Sequence, residues 1–307
     1  MMTDATLWTT PPPGVGRLVT AMATPFTDDG YLDTVGAARL AEHLVASGTD
    51  TVLVHGTTGE SPTLHGEEPW ELLRAVRDAV GDRVKIMMGT GSNDTRTAII
   101  STERATEEGA DAVLVVTPYY NRPGQSGLLE HFRTVAGVTE LPMVLYDIPS
   151  RTGRAIDVTT LVALAEVQNI VGVKDATGDL GKAADVLAAT RGVPGGFAYW
   201  SGADEVNLAL LATGGVGVVS VAAHLVGPEI AEMIEVFATD PARARDLQLM
   251  CMPVHRALFA ESSPAPLKGA LHAKGLPAGP VRAPLANATP EAVAAVMAAL
   301  APIEAAR

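Results

Sequence analysis

The chain has 307 residues, with 22 Lys plus Arg against 35 Asp plus Glu and a formal net charge of −13 at pH 7. That balance argues against a nucleic-acid backbone or an anionic membrane surface as the main partner. A composition of 47% hydrophobic and 19% charged residues excludes bulk disorder. A single cysteine, Cys251, excludes an internal disulfide framework or a Cys-rich metal site and fits a reducing compartment.

Residues 1–16 hold Asp4, the run Pro11-Pro12-Pro13 and no apolar h-region. They read as a disordered or loosely docked arm rather than a targeting signal. No run approaches the ~18 consecutive apolar residues of a membrane span, so a soluble, cytoplasmic protein is expected. From there, short apolar runs recur at Arg17–Phe26, Thr51–Gly56, Lys85–Gly91, Ala112–Pro118, Pro142–Ile148, Ile170–Ala176, Phe197–Gly202 and Gly215–Val221. They are continuous rather than alternating, as in parallel strands buried on both faces. Helical patterns separate them. Ala37, Leu40, Ala41 and Leu44 share one face. Asp94, Asp157 and Asp204 sit where N-caps belong, and Gly48, Gly81 and Gly109 where helices end.

Eight strand–helix units predict an α/β fold, a closed (β/α)₈ barrel over residues 17–227. An open doubly wound sheet is the alternative, but no GxGxxG follows the first strand. The last strand-to-strand spacing, from 197 to 215, leaves room only for a helix of two to three turns. Beyond Val221 the pattern is purely helical, with segments at Pro228–Phe237, Pro241–Glu261, Pro264–Lys274 and Pro290–Leu300. A C-terminal helical subdomain is therefore expected over residues 228–307.

Catalytic groups of such barrels sit at the carboxyl ends of strands. Those ends carry one lysine, several tyrosines, one arginine and small donors, without a His/Asp/Glu set of metal-ligand character. Lys174 ends the apolar run Ile170-Val171-Gly172-Val173 and is the only one of five lysines deep in such a strand. Burial disfavours an ammonium and makes a neutral amine available for attack on a carbonyl. The rival reading is an ion pair with Asp175 or another carboxylate, although adjacent strand residues face opposite ways. Tyr146, on the neighbouring strand, is a candidate for moving protons or an ordinary core tyrosine. Thr57-Thr58-Gly59 offers hydroxyls and N–H groups for a small carboxylate, or is simply a glycine turn. Arg151 is placed on a loop at the mouth for a second carboxylate, or is a surface arginine. His55 and Trp70 read as core residues.

Taken jointly, these strings resemble the dihydrodipicolinate (4-hydroxy-tetrahydrodipicolinate) synthase family. It belongs to the pyruvate-dependent Schiff-base barrel enzymes, which include N-acetylneuraminate lyase. The matching segments are Thr24-Pro25-Phe26, Gly56–Ser61, Val116–Pro123, Leu145–Gly153, Val173–Gly178 and Pro264–Lys268. The resemblance implies a lyase that condenses pyruvate with L-aspartate 4-semialdehyde, the entry to diaminopimelate and lysine synthesis. It implies that Lys174 forms the Schiff base and that Tyr146 is the general acid/base. Tyr146 would be linked through the Thr57 hydroxyl to Tyr120 of the adjacent subunit. Thr57 and Thr58 would hold the pyruvate carboxylate, Arg151 the carboxylate of the second substrate, and Gly202 and Val219 would line the pocket. It implies a homotetramer of tight dimers with no organic cofactor and no metal.

The alternatives are another pyruvate aldolase of the superfamily, acting on sugar acids, and a non-catalytic barrel. The Thr57-Thr58 pair and the Pro149–Gly153 loop argue against the first, and the presence of both Lys174 and Tyr146 against the second. Ala203, Asp147 and Asp175 depart from the residues frequent in the family. The resemblance also places a lysine feedback site beside Ser61, Pro62, Gly66, Pro69, Asn93, Thr97 and Tyr119. Gly66 and Pro69 replace histidines often found in that loop, and Thr97 replaces the carboxylate that would pair with the effector's ammonium, so weak or absent inhibition by lysine is expected, unless His65 or Glu67 substitutes.

Overall fold

A computed structural model of the chain describes residues 10–307. In chain order the elements are β1 (Leu18–Ala21), α1 (Thr34–Ala46), β2 (Thr51–Val54), α2 (Glu68–Val80), β3 (Lys85–Gly89), α3 (Thr95–Glu107), β4 (Ala112–Val116), α4 (Gln125–Ala136) and β5 (Met143–Asp147). They continue with α5 (Pro149–Thr152), α6 (Val158–Ala165), β6 (Ile170–Asp175), α7 (Leu180–Ala189), β7 (Ala198–Ser201), α8 (Asn207–Thr213) and β8 (Gly217–Ser220). The C-terminal helices are α9 (Ala223–Val236), α10 (Pro241–Ala257), α11 (Ala265–Ala273) and α12 (Pro290–Ala306). The strands hydrogen-bond in the order β1 to β8 as a closed barrel. The eightfold alternation expected from the sequence is present, and α8, seven residues long, is the short helix that the last spacing requires.

The chain divides into two compact units, one holding the chain up to Val19 with Met87–Val219, the other Thr20–Ile86 with Ser220–Arg307. The first nine residues of the expected arm lie outside the described residues. Within the first unit, the next few are tied down: Gly16 accepts a bond from the Trp200 indole at 2.9 Å. A Cβ at Gly14 would lie 2.8 Å from the carbonyl oxygen of Asp111. Strands β4 to β7 are parallel neighbours. Close approach is bought by glycine at Gly172, where a Cβ would meet the Ala198 carbonyl oxygen at 2.1 Å.

In the second unit, α1 packs on α2 and on α9, and α10, α11 and α12 pack through α12. The tail is helical as expected, but its first helix starts at Ala223 rather than Pro228. Val226 leaves the helical region (φ −126°, ψ 35°), because Pro228 has no N–H to bond backward and crowds the preceding turn. Helix α12 runs to Ala306, well past Leu300. Asp94 caps α3 as expected, accepting from the Thr97 N–H at 2.8 Å. Asp157 holds the cap position of α6 without a side-chain bond. Asp204 is not a cap: it lies inside a single 3₁₀ turn, Asp204–Val206, that precedes α8, and its carboxylate takes a bond from Asn207 at 3.1 Å. Cys251 is buried and unbridged. Among the described residues no helix is long and apolar enough to cross a membrane.

In the first unit His131 of α4 is buried and bonded through Nδ1 to the Thr95 hydroxyl at 2.9 Å, joining α4 to α3. Burial pushes its pKa down to about 4, against a smaller opposing pull from Asp94. The unfolded chain, with an ordinary value near ~6.5, therefore takes up this proton first as pH falls. Stability present above pH ~6.5 should be lost progressively down to about pH 4, by up to ~3 kcal/mol. Thermal melts over that range should show the decline, and His131→Leu should flatten it.

Candidate active site

The carboxyl ends of β5 and β6 bring two candidate residues together. Tyr146 is paired in register with Lys174, and Asp147 with Asp175. This register depends on an irregularity: Met143 lies opposite Ile170, but the next residue, Val144, lies opposite Gly172. The extra residue on β6, Val171, advances that strand by one position. Without it Tyr146 would face Val173, and Asp147 would face Lys174. Both candidates are buried, Tyr146 4% and Lys174 5% exposed. The Lys174 ammonium nitrogen stands 4.0 Å from the centroid of the Tyr146 ring.

Gly202, just past β7, lies against this lysine. A Cβ at that position would come within 3.0 Å of Lys174 Cγ and 3.1 Å of Ala176 Cβ, so glycine leaves the space that the lysine side chain crosses. Val219 is buried on β8. Arg151 is exposed. It lies not on a loop but in the four-residue helix α5, which Gly153 ends in the left-handed region (φ 70°). Tyr120 is 90% exposed and also has left-handed backbone (φ 72°), as does Arg122 (φ 48°). Such backbone is costly for non-glycine residues and persists where the surroundings impose it. Here Asn121 between them donates from its amide to the Asn93 carbonyl at 2.7 Å.

The ion pair between Lys174 and Asp175 is not made. Adjacent strand residues point to opposite faces, and Asp175 is spent on the other side. Its Oδ1 accepts from the Thr177 N–H at 2.6 Å, and its Oδ2 from the Tyr199 hydroxyl. Burial and the Asp175 carboxylate push the Tyr199 phenol far up, so it serves as a donor only. Asp147, fully buried, instead pairs with Lys182 of α7, whose side chain is 12% exposed. It also accepts from the Ile156 N–H at 3.2 Å. Burial raises its carboxyl above the usual range, opposed by Lys182. Nothing in the local sequence marks Lys182 as the partner; only an i,i+35 contact across the fold does.

In the second unit β2 runs into the turn Thr57-Thr58-Gly59-Glu60. Thr58 is buried and Thr57 half-buried. The Thr24 hydroxyl donates to the Gly59 carbonyl at 2.6 Å. A Cβ at Gly59 would sit 3.1 Å from the Met22 carbonyl oxygen, so a larger residue would have to push the β1 end aside. His55 and Glu60 bracket the turn with left-handed backbone (φ 56° and 55°). Lys268 is as buried as Lys174 (2% exposed), a fact that its helical pattern does not reveal. Its ammonium is spoken for by Glu60 Oε1 at 2.8 Å and the carbonyls of Thr24 at 3.0 Å and Pro280 at 2.6 Å. Among the described residues no group of three or more His, Cys, Asp or Glu is placed to hold a metal ion.

Removing Lys182 leaves the buried Asp147 carboxylate without its counter-charge. Lys182→Met should cost about 3–5 kcal/mol of stability. The same change combined with Asp147→Asn removes both charges and should recover most of it, as thermal melts of the two variants will show.

With this geometry in place, the comparisons with known proteins are consistent. The model of the dihydrodipicolinate synthetase family matches residues 14–303. The 4-hydroxy-tetrahydrodipicolinate synthase of Moorella thermoacetica is 49% identical over 286 residues, 93% of this chain and 97% of that protein. Among solved structures, a dihydrodipicolinate synthase from Cyanidioschyzon merolae with lysine bound is 43% identical. Its TM-score is 0.90, over 93% of this chain and 97% of that one. A chloride-inhibited dihydrodipicolinate synthase from Acinetobacter baumannii complexed with pyruvate is 38% identical. Its TM-score is also 0.90, over 94% of this chain and 98% of that one. Fold, matched length and identity together place this chain in the dihydrodipicolinate synthetase family.

Proposed function

We propose that the chain condenses pyruvate with L-aspartate 4-semialdehyde to 4-hydroxy-tetrahydrodipicolinate, a step of lysine biosynthesis, through a Schiff base on Lys174. The synthase activity follows from membership in the family. The observation that carries the assignment to Lys174 is its setting. Among the described residues it makes no ion pair, it is buried, and it lies over the ring of Tyr146. Lys182 and Lys268, the other lysines withdrawn from water, are each held by a carboxylate and have no amine to offer.

The amine of Lys174 adds to the ketone carbon of pyruvate, and the carbinolamine loses water to give the iminium. Tyr146 supplies and removes the protons of these steps. Loss of a proton from the pyruvate methyl group gives the enamine, whose carbon attacks the aldehyde. The amine of the second substrate then closes the ring and releases Lys174. Thr57 and Thr58 hold the pyruvate carboxylate, a role suited to a turn whose hydroxyls and N–H groups are held in place. The Thr57 hydroxyl relays protons between Tyr146 and Tyr120 of an adjacent subunit. A 90% exposed tyrosine on strained backbone suits a residue that completes a neighbour's site. Arg151 binds the carboxylate of the aldehyde substrate, and Gly202 and Val219 line the pocket. In this reading the catalytic barrel spans residues 17–227 with a helical subdomain over 228–307. The enzyme is a cytoplasmic homotetramer of tight dimers and needs no organic cofactor, since the iminium formed on Lys174 is the electron sink.

Incubation with pyruvate and borohydride, followed by peptide mapping, should find one adduct, on Lys174. An adduct on Lys182 or Lys268, or none, overturns the assignment. Arg151→Ala should leave that trapping intact while weakening the apparent affinity for the aldehyde by about 10- to 150-fold, the scale of one charge-assisted hydrogen bond. Equal damage to both steps would reassign the arginine.

Feedback by lysine is weak in this reading. Thr97 stands where a carboxylate would meet the effector's ammonium, and its hydroxyl is turned to Asp94 at 2.6 Å. The Asp94 carboxylate is in turn engaged in capping α3. An ammonium placed there without a counter-charge loses its compensation for desolvation. Lysine titrated into the assay at saturating pyruvate should give no half-inhibition below the millimolar range, and submillimolar inhibition would overturn the reading.

A further inference from the structure

The Thr57–Glu60 turn ends on a residue whose side chain is 1% exposed and carries a charge. Glu60 has left-handed backbone (φ 55°), where a non-glycine residue is strained, and something must hold it. Both its oxygens are engaged from one stretch of chain more than two hundred residues away. Oε1 takes the Lys268 ammonium at 2.8 Å, and Oε2 takes the Arg282 N–H at 2.8 Å. Lys268 itself is fully coordinated, by the Thr24 and Pro280 carbonyls and by the face of the Phe26 ring at 4.2 Å. Arg282 is fixed in turn, with its guanidinium on Glu68 at 2.5 and 2.7 Å, the Thr63 carbonyl at 2.6 Å and the Gly30 carbonyl at 2.9 Å.

Two holds thus converge on the segment Thr57-Thr58-Gly59. The Thr24 hydroxyl grips the Gly59 carbonyl, and the Thr24 carbonyl accepts from the same lysine that grips Glu60. Thr24 therefore ties both clamps to one strand end. A buried ion pair is an expensive way to stabilise a protein, since well-packed apolar residues of similar size often do as well. What it supplies here is direction. Three acceptors fix the ammonium, the ammonium and one N–H fix the carboxylate, and the carboxylate fixes the backbone of the turn.

We propose that Lys268, acting through Glu60, is a positioning residue that holds the Thr57–Thr58 turn in the geometry that binds the pyruvate carboxylate. The inference rests on the reading that this turn is the carboxylate cradle. It gives the C-terminal helix α11 a part in substrate binding although none of its residues touches substrate. A loosened cradle binds pyruvate less well but leaves the amine of Lys174 and the phenol of Tyr146 where they are. Because the Thr57 hydroxyl also belongs to the proposed proton relay, kcat should fall slightly, and the larger effect should be on KM for pyruvate.

Single changes strand a buried charge, so the test uses Glu60→Gln combined with Lys268→Met, which removes both charges together. The pair should raise KM for pyruvate about tenfold, the scale of one misplaced charge-assisted hydrogen bond. It should leave kcat and KM for the aldehyde within about threefold. Borohydride trapping against pyruvate concentration should shift to the same extent. Thr24→Val, which cuts the hydroxyl bond to Gly59 without touching a charge, should move KM for pyruvate in the same direction and keeps the test open if the double variant does not fold. Thr58→Val separates the two levels of the argument. If it leaves KM for pyruvate unchanged, the cradle reading itself fails. If it raises KM while the double variant and Thr24→Val do not, the cradle stands and the role of Lys268 is overturned.

Discussion

The pairing of β5 with β6 is the constraint on which the rest of the site depends. A strand alternates its side chains between two faces, so a shift of one residue exchanges the whole set. At Tyr146 and Lys174 the face that matters is decided by one extra residue, Val171, near the start of the pairing. With it, a phenol and an amine lie side by side on one face and two carboxylates on the other. A barrel tolerates such an irregularity because parallel neighbours on both sides hold the strand, β5 on one edge and β7 on the other. Which side chains share a face is set by register before any of them is positioned by its own contacts.

Three lysines withdrawn from water stand in different surroundings. Lys182 and Lys268 reach carboxylates that are almost wholly out of water, Asp147 and Glu60. Burial lowers the proton affinity of Lys268, and Glu60 opposes it. Pairing of this kind keeps an ammonium charged and occupied, which suits structure and excludes attack on a carbonyl. Lys174 has a carboxylate as its immediate chain neighbour, yet the pleat turns Asp175 away to Tyr199 and Thr177. The amine is left against an aromatic face, with a glycine beside it to make room. What sets this lysine apart from the other two is the carboxylate that the strand withholds from it.

Backbone strain is concentrated in the same region of each unit. His55, Glu60, Tyr120 and Arg122 are the non-glycine residues with left-handed backbone among those described, and they follow β2 and β4. Glycine would relieve each position, so the side chains must be worth the cost. For Glu60 the return is visible as a carboxylate with both oxygens bonded across the fold. For Arg122 it is a bond from its guanidinium to the Gly153 carbonyl at 2.9 Å. The loops after β2 and β4 thus hold the strained backbone among the described residues.

Much of this was legible in the residues alone. Continuous apolar runs at regular spacing determined a parallel barrel, because a strand buried on both faces must be apolar throughout. The lone lysine at the end of such a run, with a tyrosine at the end of the run before it, marked two residues that the register brings side by side. The strings around them marked the family. Local caps such as Asp94 were legible because their bonds span three residues. The partners of the other buried charges were not. Lys182 finds Asp147 at a separation of 35 residues, and Lys268 finds Glu60 at a separation of 208. No local pattern encodes such a meeting. Nor could periodicity show that Asp204 lies within a turn rather than before one, or that a helix begins five residues ahead of its proline. Hydrophobic pattern fixes which face of an element is buried. Which charges meet there depends on how elements distant in the chain are brought side by side, and only the tertiary structure decides that.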